Sequence, residues 1–98
     1  MALRRCSVGF KDVRGITHSV HVEAESLYEA AVLGIKRLSE DPWTERIGAT
    51  TQLEIDVPDT GSRHVVSMRQ IERWLAGAAA SPVEATKKAK LKLMLVQR

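Results

Sequence analysis

Residues 16–34 read ITHSVHVEAESLYEAAVLG, and within this run the apolar period changes from two to between three and four. Ile16, His18, Val20 and Val22 alternate with Thr17, Ser19 and His21, which is the pattern of a strand with one inward face. Ser26-Leu27-Tyr28-Glu29 then spells a capping box: the serine accepts from the third helical N–H and the glutamate reaches back. After it Leu27, Ala30, Ala31, Gly34 and Leu38 recur at helical spacing, so one helix face is apolar. Gly34 lowers helix stability, which points to close approach of another element at that position.

Upstream, Cys6, Val8 and Phe10 alternate with Ser7 and Gly9, giving a strand that turns near Val13-Arg14-Gly15 into the one just described. Downstream, Ser39-Glu40-Asp41-Pro42 ends the helix, because proline disfavours helical geometry at the residue before it. The stretch Ser39 to Gln52 is the longest irregular piece and a candidate contact segment. Leu53, Ile55 and Val57 face inward from a third strand, with Gln52, Glu54 and Asp56 outward. Pro58-Asp59-Thr60-Gly61-Ser62 is a turn, and Arg63 to Val66 returns as a short fourth strand.

Ser67-Met68-Arg69-Gln70 repeats the capping device, followed by the apolar stripe Ile71, Trp74 and Leu75 and by Gly77 as a stop. Ser81-Pro82-Val83-Glu84 opens a third helix, with proline at its first position. Leu91 to Val96 fits either period; a helix start ten residues upstream and the common face of Leu91, Met94 and Leu95 favour helix. The order ββα-ββα-α predicts an α+β domain over residues 1–98: a four-stranded, mainly antiparallel sheet with helices on one face. The two ββα halves hint at an internal pseudo-repeat.

Ninety-eight residues suffice for one core, and a composition 44% hydrophobic and 28% charged is that of a folded globular chain. Aromatic residues make up only 4%, which argues against a stacking surface for single-stranded nucleic acid. A single cysteine, Cys6, excludes an intrachain disulfide and a thiolate zinc cluster. The opening ten residues are too short and polar for the apolar segment of a signal peptide, and no membrane-length apolar run occurs, so the expected compartment is the cytoplasm. The net charge is +3, yet residues 86–98 hold five bases and no acid. That segment is a basic, partly apolar helix end or tail, and the remainder is mildly acidic.

Val13-x-Gly15-Ile16-x-His18-Ser19-Val20-x-Val22-x-Ala24, Ser26-Leu27-Tyr28-Glu29-Ala30-Ala31, Trp74-Leu75 and Ser81-Pro82-x-Glu84 together resemble a small bacterial protein family of unassigned function. The resemblance spans most of residues 13–90 and implies a bacterial origin and a compact accessory protein, with no site attached.

Metal binding finds little footing: His18 and His21 fall on opposite faces of a strand, and zinc needs three or four convergent ligands. His18 reads as a partly buried histidine with a backbone partner, and His21 as solvent-facing. Cys6 or Ser19 with a histidine and an aspartate supplies the ingredients of a nucleophilic site, but no nucleophile elbow, phosphate loop or metalloprotease motif is present. The expectation is therefore a non-enzymatic chain without metal or cofactor. Two binding readings remain. In the first, Leu91, Leu93, Leu95 and Val96 spread around more of a helix than a small core can cover, and together with Trp43 they form an interface for a protein partner, most simply a second copy. In the alternative, Arg4, Arg5, Lys11 and Arg14 join Lys87, Lys88, Lys90 and Lys92 in a phosphate-contacting patch for weak, non-sequence-specific nucleic-acid binding.

Overall fold

The hairpin at the start of the chain builds half of the sheet. Strand β1 (Arg4–Lys11) pairs antiparallel with β2 (Thr17–Ala24), setting Cys6 opposite Val22, Val8 opposite Val20 and Phe10 opposite His18. Because side chains alternate, this register puts all six on one face. A computed structural model describes residues 3–40, 47, 48 and 51–96. In it β3 (Gln52–Val57) pairs antiparallel with β1, and β4 (Ser62–Ser67) with β3, giving the order β2-β1-β3-β4. The α+β expectation is met, with strand order supplied by the pairing of β1 with β3.

Helix α1 (Leu27–Ser39) packs across β1 and β2. It comes so close at Gly34 that a Cβ there would lie 2.5 Å from Val8 Cβ and Cγ1, which gives the glycine its physical reason. Val8, Val32, Ile35, Leu53, Ile55 and Ile71 are fully buried between sheet and helices. Ile47, between α1 and β3 in sequence, also joins this core. The opposite sheet face carries small and polar residues, among them Ser7, Gly9, Thr17, Ser19, Glu54 and Arg63, and the shallow depression there is lined by strand residues alone.

Helix α2 (Met68–Ala76) follows β4 without a loop, since Ser67 both ends the strand and caps the helix. Its box is complete: Ser67 Oγ accepts from Gln70 N at 3.2 Å and Gln70 Oε1 from Ser67 N at 2.8 Å. The box at α1 is shifted by one residue. Ser26 Oγ accepts from Glu29 N, but Glu29 Oε1 accepts from Glu25 N, one position earlier than the motif predicts. Gly77 closes α2 from extended backbone, φ −72°, so it does not adopt the left-handed conformation that favours glycine at helix ends.

Helix α3 (Pro82–Val96) is helical throughout, which resolves the ambiguity of Leu91 to Val96 in favour of helix. It lies chiefly against α1 and α2, and within it only Lys88 and Leu91 are buried. No helix among the described residues is long and apolar enough to cross a membrane.

Candidate interaction surface

The seating of α3 decides what surface it leaves open. At the junction of the three helices the Trp74 ring of α2 stacks on Tyr28 of α1, centroids 5.2 Å apart, and Lys88 Nζ of α3 stands 4.9 Å from the same ring. The Lys88 ammonium also lies 3.4 Å from the carbonyls of Gly77 and Ala78 and 3.5 Å from Glu84. Its burial is thus compensated by carbonyl dipoles, a carboxylate and an aromatic face. The adjacent Lys87 ties α3 to α1 and the residues before it, 2.9 Å from Glu25 and 2.5 Å from Glu29. Lys87 holds the Glu25 carboxyl below the usual carboxylate range.

These ties fix the first half of α3, and Leu91 adds an apolar anchor, 3% exposed. Beyond Leu91 the helix runs along α2 with a groove of about 490 Å³ between them. Met68, Leu75 and Ala76 form one wall, and Leu95 and Val96 the other. Glu72 stands on the α2 side and Lys92 on the α3 side. Val96 is 82% exposed, and Leu93, on the flank of the helix, is 57% exposed.

The expected interface residues therefore divide. Leu91 is consumed by the chain's own core, Leu95 is half-buried in the groove wall, and Leu93 and Val96 present apolar surface to solvent. Trp43 lies outside the described residues. Met68, Glu72 and Ala76 also line the groove; their i, i+4 spacing puts them on one helical face, but the seat of α3 beside that face depends on contacts distant in sequence.

The expected basic patch divides too. Lys87 and Lys88 are held in the intramolecular contacts above, whereas Lys90 and Lys92 are exposed. Arg14 pairs with Asp12 at 3.4 Å. Arg4 and Arg5 sit at one end of β1 and Lys11 at the other, about 23 Å away at the rise of a strand. Across the sheet, Arg5 is opposite Glu23.

Asp12, the residue after β1, organises the turn into β2. Its Oδ1 accepts from the backbone of Arg14 and Ile16, each at 2.9 Å, and its Oδ2 lies 2.8 Å from His18 Nε2. The hydrogen bond from His18, with those two backbone bonds and the Arg14 charge, pulls the carboxyl down to about 2 against the opposing effect of burial. The readable signal was an aspartate three residues before a glycine: Gly15 has φ +84° and its N–H returns to the Asp12 carbonyl. His18 thus has a side-chain partner where a backbone one was expected, and it stacks on Phe10 at 5.3 Å. His21 is exposed, and its carbonyl on edge strand β2 accepts from Arg37.

Cys6 is 4% exposed, and burial, aided by Asp59, pushes its thiol above the ordinary value. An activated nucleophile requires the opposite shift. Among the described residues no three His, Cys, Asp or Glu side chains are grouped to hold a metal ion. Compared with known protein families, with characterised proteins and with solved structures, the chain matches none.

Proposed function

We propose that this chain is a small non-enzymatic interaction module that assembles with a second copy of itself along the α2–α3 groove. The observation that carries the reading is apolar surface left open at the end of α3: Leu93 and Val96 are exposed, and Val96 and the half-buried Leu95 border the groove beside α2. Contiguous apolar surface on a chain this small marks a contact site more often than isolated exposed residues do. Less supports the nucleic-acid alternative, since Lys87 and Lys88 serve the fold and the bases of β1 stand at opposite strand ends.

Sedimentation velocity over a concentration series tests this. The expected species has twice the 10.9 kDa chain mass. Val96→Lys is the cleanest variant, because a residue 82% exposed contributes little to the chain's own fold. Burying a valine side chain is worth about 1.5 kcal/mol or more, so the variant weakens association at least about tenfold. Leu95→Lys acts in the same direction with an added cost to folding. A clean monomer at the highest attainable concentration overturns the proposal.

A further inference from the structure

We infer that the two copies meet about a two-fold axis that sets Glu72 of each against Lys92 of the other. This rests on the reading of the groove as the assembly surface and specifies its geometry. Glu72 and Lys92 belong to the same groove, on opposite walls. Neither side chain makes an ion pair or hydrogen bond with any other described residue. Most bases near the α1–α3 junction are already matched: Lys87 has Glu25 and Glu29, and Lys88 has Glu84. Glu72 and Lys92 thus stand on facing walls of one groove, neither with an ion-pair partner among the described residues.

A two-fold contact resolves both charges at once. In an isologous interface, if residue i of one copy touches j of the other, then j touches i. With α3 of each copy laid along the groove of its partner, Val96 and Leu95 enter between the partner's helices. Lys92 then faces the partner's Glu72, and Glu72 receives the partner's Lys92. Any other protein would need its own matching acid and base at this spacing, whereas a second copy carries them already.

The test is a charge exchange read by native mass spectrometry and sedimentation at low and physiological salt, with circular dichroism confirming that each variant folds. Glu72→Lys alone and Lys92→Glu alone each convert two attractive pairs into two repulsive ones. Each is expected to weaken its own dimer about tenfold or more, since symmetry counts every pair twice. An equimolar mixture of the two variants restores attraction at both positions, so the heterodimer forms in preference to either homodimer. Single variants that dimerise as well as the unaltered chain, or a mixture without heterodimer preference, overturn this geometry. If Val96→Lys still dissociates the dimer in that case, the groove stands as the contact surface and only the register fails. If the unaltered chain is monomeric, the groove reading fails with it.

Discussion

Replacing Gly34 by alanine puts the helix-on-sheet packing to a test in which local and tertiary effects have opposite signs. On an exposed helix face the change stabilises by about 1 kcal/mol, because alanine loses less backbone freedom on folding. Here the new methyl would stand 2.5 Å from Val8 Cβ and Cγ1 and 2.8 Å from Cγ2. Carbon atoms pack at about 3.5–4.0 Å, so helix and strand must part by roughly 1 Å. Val8 cannot yield easily: it is fully buried on a central strand, with Val20 and Ile55 beside it. Overpacking of this kind costs about 1–3 kcal/mol, and clashes with three carbons place it at the upper end. The net loss is then about 1–2 kcal/mol, a fall in melting temperature of roughly 5–15 °C for a chain of this size. Thermal and urea unfolding followed by circular dichroism measure it directly. Val8→Ala removes two of the three clashing carbons, so in that background the penalty of Gly34→Ala should shrink without vanishing. A Gly34→Ala protein that melts at or above the temperature of the parent refutes the packing argument.

Two further outcomes follow from buried groups elsewhere. Asp12 has its carboxyl held at about 2 in the folded chain, below the roughly 3.9 of an unfolded aspartate. A depressed folded value stabilises above the unfolded one, and this stabilisation is lost as pH falls from about 4 through 2. Urea midpoints measured against pH should therefore fall more steeply over that window in the parent than in Asp12→Asn, and parallel curves would remove Asp12 from the account. For Cys6, a buried and protonated thiol implies alkylation by iodoacetamide slower by about two orders of magnitude or more in the native chain than in urea. Mass spectrometry reads the difference, and comparable rates would show that the thiol is open to solvent.

Local signals carried much of the fold. The serine caps at 26 and 67, the alternation of Cys6, Val8 and Phe10, and the period change after Ser26 each depend on residues a few positions apart, and each element formed where those residues predict it. Leu91 to Val96 alternates like a strand, yet a helix already begun at Pro82 continues through it, since propagation costs less than a new start. Contacts between distant residues were hidden. Nothing near Lys88 announces that it will be buried against Trp74 and two carbonyls, and Glu25 meets Lys87 across 62 positions. The candidate groove was half legible for the same reason. The apolar excess of α3 shows in the sequence, but the wall that α2 offers it depends on how the junction of Tyr28, Trp74 and Lys88 seats the helix.

The pairing of β1 with β3 also bears on the order of events as the chain folds. Exchanging the two ββα halves turns the order β2-β1-β3-β4 into β4-β3-β1-β2, the same sheet read from its other edge. Each half closes its own hairpin over a short turn, with Lys11 and Thr17 at the mouth of the first and Val57 and Ser62 at the mouth of the second. The seam between the halves joins Ser7 to Asp56, 49 positions apart. Closing that loop costs about 2 kcal/mol more chain entropy than closing either hairpin. The hairpins can form on the microsecond scale while the seam waits for both. By loop entropy alone, the meeting of β1 with β3 is the costliest of the three strand pairings to close.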